Sequence, residues 1–200
     1  MLSKKDFPDV ISTKRTVVRR AITEDFPHIC KWPLYEWPWE VFNQSDRERK
    51  LEGELLWWEQ IEAPNRCHYT VVLSDTSDVI GIHAFSNIDW QNAFIGNMGV
   101  RIRADFCGQG YGTESLKALI SEVLASGIKK IRLDVAATNY PAIRCYKKCG
   151  FQITGEELWR EHTGYSIEPS DPKWQAFLPH LKQSNEKWLC RHIWLEIVNC

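Results

Sequence analysis

The segment Val100-Arg-Ile-Arg-Ala-Asp-Phe-Cys-Gly-Gln-Gly-Tyr-Gly-Thr113 places three glycines in five residues between an apolar run and a helical pattern. Glycine lets the main chain approach a ligand closely, and a helix start leaves N–H groups without intrahelical partners and with partial positive charge. That combination suits a diphosphate. Gly108, Gln109, Gly110, Tyr111, Gly112 and Thr113 are therefore candidate binding residues through their main-chain N–H groups, a role that does not depend on side-chain identity. A plain tight turn would use glycines in the same way. Two nucleotide-binding signatures fit poorly: the spacing is not Gly-x-Gly-x-x-Gly followed by an acidic residue at the next strand, and Tyr111-Gly112-Thr113 lacks the lysine of a P-loop.

The elements that must position this loop follow from residue periodicity. Arg15 to Ala21 reads as a strand, and Thr23-Glu24-Asp25 offers a cap and acidic first turn for a helix through Trp32. Pro33 and Pro38 break the chain into a loop, and a second helix is expected over residues 46–60, with Leu51, Leu55, Leu56 and Trp58 near one face. Tyr69–Leu73 and Val79–Phe85 form a hairpin about the turn-favouring run 74–78, and Phe94–Ile102 is a further strand. After the glycines, Leu116, Leu119, Ile120, Val123 and Leu124 repeat at helical spacing until Gly127. A strand at Ile131, Leu133 and Val135, a short helix opened by Pro141 and ended by Gly150, and strands at Phe151–Trp159 and Leu189–Val198 complete the order. Residues 164–187, with three prolines, read as an insertion too short for a core of its own. The pattern predicts one α/β domain with a mixed sheet, because the step from residue 98 to 135 demands a parallel crossover while the hairpin is antiparallel.

Bulk properties narrow the partners. A net charge of −1 leaves no excess of cations for a phosphate backbone or an anionic bilayer, so neither nucleic acid nor membrane is expected as a partner. The cluster Lys14, Arg15, Arg19 and Arg20 reads as a solvated strand edge. Seven cysteines without Cys-x-x-Cys pairs fit reduced thiols rather than a metal site. The start Met-Leu-Ser-Lys-Lys lacks an apolar leader, and no stretch approaches the roughly 18 apolar residues of a membrane span, which predicts a cytoplasmic protein.

A second motif lies downstream. Asn139-Tyr-Pro-Ala-Ile-Arg-Cys-Tyr-Lys-Lys-Cys-Gly-Phe151 is similar to the Asn-x-x-Ala-x-x-x-Tyr-x-x-x-Gly-Phe pattern of the GNAT acetyltransferases, and Val100 to Thr113 resembles the strand and loop that precede it in that family. The resemblance covers about residues 15–160 and implies the GNAT fold, with a central mixed, mostly antiparallel sheet flanked by helices. It implies acetyl-CoA as co-substrate, no metal, and direct transfer to a primary amine of a small molecule or a protein N-terminus, by a monomer or homodimer. Val100, Arg101 and Ile102 would pair with the pantetheine and polarise the thioester carbonyl, and Asn139 would contact the coenzyme. Tyr146 would protonate the departing sulfur. Asp134 stands where the ribosomal-protein alanine acetyltransferase carries its glutamate base. The family usually has Arg or Gln at the position of Cys107, a departure that touches a side chain and not the amides.

Each residue also has a structural reading. Tyr146 can be core beside Ile143, Asn139 a helix cap, and Asp134 a solvated acid on a strand's polar face. Asp89 and His83 are rival bases. Trp32, Trp37, Trp39, Trp57, Trp58 and Trp90 fall in segments that edge the acceptor cleft in the family, as an aromatic wall or as packing. A non-catalytic acyl-CoA-binding module on the same fold, or another nucleotide-binding α/β protein, would share several of these features.

Overall fold

The computed structural model describes residues 2–43, 53, 56–162 and 167–199, so the expected helical positions Leu51 and Leu55 and the insertion's Gly164 lie outside the described residues. The described residues form a nine-stranded mixed sheet: β1 (Val10–Ser12), β2 (Thr16–Arg20), β3 (Cys67–Leu73), β4 (Val79–Asp89), β5 (Phe94–Ile102), β6 (Lys130–Ala136), β7 (Gln152–Glu161), β8 (Leu181–Ser184) and β9 (Lys187–Val198). The spatial order is β1-β2-β3-β4-β5-β6-β9-β7, with β8 also on β9. All pairs are antiparallel except β5 with β6.

Helices cover both faces, which explains why all seven residues of β3 are buried. On one face α3 (Tyr111–Ala125) and α4 (Tyr140–Lys148) pack over the main core, in which Leu116, Leu119, Ile120 and Val123 meet Tyr69, Phe85, Ile95 and Leu133. On the other, α1 (Phe26–Cys30) and α2 (residues 56–62) bring Phe26, Ile29, Trp32, Trp57 and Ile61 onto Val72, Val79 and Ile82. The 3.6-residue spacing on α3 thus buries the stripe that the sequence shows. Gly127, at φ +107°, ends the helix in the left-handed conformation that glycine adopts without penalty.

The one parallel contact is short. Only Phe94 with Lys130 and Ile95 with Ile131 are in register; beyond them β5 and β6 diverge. A slot therefore opens in the sheet beside residues 97–102, on the side where α3 and α4 begin.

Two features were not foreseen. β1 is a three-residue edge strand with little apolar signal. The insertion carries a strand and a small apolar cluster of Ile167, Trp174 and Phe177, against the expectation of a coreless segment. It closes into β9 through a tight turn whose Asn185 and Glu186 both take positive φ, as a two-residue hairpin requires. β9 starts at Lys187 and runs between β6 and β7.

Candidate functional site

The glycine loop leads directly into α3. Gly108 and Gly110 have φ of +76° and +87°, the left-handed conformation that glycine adopts without penalty, and both line the cleft. A Cβ on Gly112 would come within 3.1 Å of Ile102 Cγ1, which explains the third glycine as close approach of helix to strand. The side chains of the loop are occupied internally. Gln109 Nε2 donates to the Asp105 carbonyl at 2.8 Å, and Tyr111 packs edge-on against Phe106.

Arg15 fixes the loop from a distance of nearly a hundred residues. Its guanidinium donates to Glu114 at 2.7 Å and to the Gln109 carbonyl at 3.2 Å, and it stacks on Tyr111 at 4.1 Å. Thr13 Oγ1 and the Arg15 main-chain N–H also donate to Glu114. The residue read from sequence as part of a solvated edge is a fixed cation at the cradle, and no local pattern could have shown it.

The strand bordering the slot uses alternate residues. Arg103 N–H donates to the Ile80 carbonyl on β4, so by the alternation of an antiparallel ladder Arg101 also turns its main chain to β4, while Val100 and Ile102 turn theirs to the slot. Of the three expected residues, Val100 and Ile102 therefore turn their main-chain groups away from β4 and Arg101 does not. Arg101 instead sends its side chain to the cleft wall, between Trp32 at 5.6 Å and Tyr35 at 5.5 Å. The Ile102 carbonyl accepts a 2.5 Å hydrogen bond from the Tyr35 phenol, an anchor that the Pro-rich loop sequence did not reveal.

Tyr146 is buried in the cleft lining, with its phenol close to the Val100 main chain. Burial pushes its pKa well above the ordinary tyrosine value. The phenol thus keeps its proton at neutral pH, in the cleft wall where β5 leaves β6. Asn139 does two things at once: its Oδ1 accepts from the Ala142 N–H at 3.2 Å, capping α4, and it lines the cleft.

Asp134 does not suit a base. Arg160 grips both carboxylate oxygens at 2.8 and 3.0 Å, and His192 Nδ1 holds Oδ2 at 2.8 Å. Partial burial would raise its pKa, but these partners outweigh it and hold the carboxyl at about 2. It is also absent from the cleft lining. A carboxylate so well paired has little appetite for an amine's proton, and its role is to tie β6, β9 and β7 together. Asp134→Asn is expected to cost about 1–2 kcal/mol, allowing for the half-exposed Arg160, and to lower Tm by roughly 3–6 °C. Because the folded pKa lies below the unfolded value, this stabilisation is present above about pH 4 and is lost as pH falls toward 2. Denaturation of both proteins across that window checks the prediction; a gap independent of pH would refute it.

The rival bases also lie elsewhere. His83 is fully buried with Nε2 at 2.8 Å from Ser115 Oγ, and burial pulls its pKa down to about 3. Asp89 accepts hydrogen bonds from Asn92 at the far end of β4. Glu36 does line the cleft and is exposed there.

The cleft encloses about 1050 Å³ and runs from the glycine loop past Val100, Ile102 and Tyr146 to the Pro33–Trp39 loop. Of the six candidate tryptophans, Trp37 and Trp39 line it. Trp32 and Trp57 are core residues whose indole N–H groups reach the Val79 and Ile22 carbonyls, Trp90 bonds the Pro64 carbonyl and packs on Phe7, and Trp58 is exposed. Trp37 is held edge-on by Trp174 at 4.9 Å and Phe177 at 5.8 Å, so the insertion buttresses the cleft wall. Among the described residues no helix is long and apolar enough to cross a membrane.

Comparison with known proteins agrees with this geometry. The model of the Acetyltransferase (GNAT) family matches residues 31–151. The Bacillus subtilis (strain 168) protein described as uncharacterized N-acetyltransferase YycN is 33% identical over 97 residues, a stretch that covers 47% of this chain and 60% of that protein's length. A spermidine N-acetyltransferase SpeG chimera from Vibrio cholerae superposes with a TM-score of 0.66 at 18% identity, over 92% of this chain and 95% of that one. The microcin C7 self-immunity acetyltransferase MccE, in complex with acetyl-CoA and AMP, gives 0.63 at 15% identity, over 96% and 97% of the two chains. The ribosomal-protein-S5-alanine acetyltransferase of Vibrio fischeri gives 0.60 at 16% identity, over 95% and 96%. At these identities the structural likenesses establish a shared fold.

Proposed function

Since the chain belongs to the GNAT acetyltransferase family, we propose that it transfers the acetyl group of acetyl-CoA directly to a primary amine of a small molecule or a protein N-terminus. The observation that carries this reading is the coincidence of three parts in one cleft: a glycine loop lining it at the start of α3, a strand edge freed by the splay of β5 from β6, and a protonated phenol at that edge.

The residues fit the co-substrate by their chemistry. Main-chain N–H groups from Gly108 to Thr113, reinforced by the Arg15 cation, would hold the diphosphate. Val100 and Ile102 would pair with the amide-bearing arm as a neighbouring strand does, with Asn139 lining the same wall. Acetyl-CoA supplies the activated acyl group; the protein positions it, excludes water and manages protons. The Val100 N–H is a fixed donor at the slot, and Tyr146 holds a proton at its phenol oxygen for the sulfur that leaves. The acceptor enters over Tyr35, Trp37 and Trp39, and its proton departs through water on the Glu36 side, because Asp134, Asp89 and His83 are each engaged elsewhere.

Incubation with acetyl-CoA and a panel of amines, with free thiol release followed over time, tests the proposal. Amine-dependent release is expected. Acetyl-CoA binding without release for any amine would assign the fold to a non-catalytic acyl-CoA-binding module instead.

A further inference from the structure

His83 is a buried polar group that acetyl transfer as derived above does not use. It sits wholly buried on β4, level with Val100 in the β4–β5 ladder. Its Nε2 lies 2.8 Å from Ser115 Oγ, and Ser115, equally buried, stands one turn into α3. The contact therefore joins the strand beside the slot to the start of the helix that follows the glycine loop.

The neighbours of this contact fix its proton. A serine hydroxyl carries one, and Ser115 Oγ donates it to the Tyr111 carbonyl at 2.8 Å, with the Gly112 carbonyl further off at 3.4 Å. The hydroxyl is thus the acceptor for His83, which assigns the imidazole proton to Nε2. Burial pulls the pKa of the ring down to about 3, so at neutral pH there is no second proton. Nδ1 is left as a bare acceptor, and among the described residues no donor reaches it. A buried acceptor without a partner costs stability, and a leucine filling the same space would avoid that cost. What the imidazole adds is the directed bond to Ser115.

That bond bears on the glycine loop. Gly110 precedes α3 and Gly112 stands in its first turn, and glycine restricts the main chain least of all residues. On one side Arg15 and Thr13 hold Glu114. From the sheet, His83 holds the next residue, whose hydroxyl in turn holds the Tyr111 carbonyl. The Tyr111 carbonyl and the Gly112 N–H belong to one planar trans peptide and point opposite ways, so the direction of one sets the other. The Gly112 N–H is among the first of α3, which have no carbonyl a turn earlier to bond.

We propose that His83 is a positioning residue for the acyl carrier: through Ser115 it ties the first turn of α3 to β4 and aims the Gly112 N–H at the diphosphate. The role toward the ligand rests on the coenzyme reading above; the tie between strand and helix does not.

Two measurements test it: calorimetry with acetyl-CoA, and amide hydrogen exchange of the ligand-free protein. His83→Leu is expected to weaken acetyl-CoA binding by about 3- to 10-fold, the equivalent of one neutral hydrogen bond. KM for the acceptor amine should stay within about 2-fold, and Tm within about 3 °C, because loss of the bond and removal of the unpaired acceptor offset each other. His83→Gln places an amide N–H near the position of Nε2 and should restore affinity to within about 2-fold of the parent. The Glu114 amide, which donates to the Gly110 carbonyl at 3.0 Å, should exchange about 3- to 10-fold faster in His83→Leu. Ser115→Ala cuts the same tie from the helix side and should lose affinity to the same extent, a reading that stands even if His83→Leu does not fold. Parent-like affinity in either variant, or a His83→Gln protein no tighter than His83→Leu, would overturn the proposal. A parent protein that binds no acetyl-CoA, while exchange at Glu114 still quickens in His83→Leu, would sink the coenzyme reading and leave the tie between β4 and α3 standing.

Discussion

Replacing Gly110 by glutamate is expected to weaken acetyl-CoA binding by about 10²- to 10³-fold, measured by calorimetry. Gly110 is the residue before α3 and sits at φ +87°. Any side chain there carries a left-handed strain of about 1–2 kcal/mol. The larger effect is electrostatic, since a carboxylate at the amide cradle repels a diphosphate with about 4 kcal/mol at 4 Å and an intermediate effective dielectric. A Cβ at this position would lie 3.4 Å from an Arg15 guanidinium nitrogen, so the new carboxylate would also draw that cation away from the ligand. Gly110→Ala separates the two causes: it carries the strain without the charge and should lose less than about 10-fold. Equal acetyl-CoA affinity in Gly110→Glu and the parent protein would remove the loop from coenzyme binding.

Tyr146→Phe should lower kcat by about 10²-fold, the usual range for losing a positioned proton donor, while KM for acetyl-CoA shifts by less than about 3-fold. The phenyl ring still fills the space beside Phe151, 5.8 Å between ring centres, so packing is retained. What disappears is the hydroxyl in the cleft lining. One buried hydroxyl contributes about 1 kcal/mol to folding through its hydrogen bonding, which bounds the accompanying loss of stability. A large fall in Tm with unchanged turnover would make Tyr146 a core residue and nothing more.

Much of the frame is legible in the chain because its signals are local. The stripe on α3, the boundaries of β5 and the alternation in β6 each depend on residues within one element, and each lies where periodicity places it. Glycine at positions 108, 110 and 112 announces a main-chain role, since its backbone freedom and lack of a side chain are local properties. The site's side-chain partners are not local. Arg15 reaches Glu114 across the sheet, Tyr35 reaches Ile102, and Asp134 meets Arg160 and His192 only because β9 enters between β6 and β7. An acid in an apolar strand looks the same from sequence whether it faces a substrate or an arginine. The insertion illustrates the same limit: Ile167, Trp174 and Phe177 become a cluster through a hairpin that brings Trp188 and Leu181 beside them.

The brief contact between β5 and β6 has a mechanical meaning. Strands β1 to β5 make one plate and β6, β9 and β7 another, joined edge to edge at just two residue pairs. Flexing about Phe94 and Ile95 would change the width of the opening at the other end while every remaining ladder stays intact, much as shears turn about a rivet. A bulkier acyl group could then be admitted by a small rotation between the plates, and the resistance to that rotation would come from how firmly α3 and α4 grip both sides.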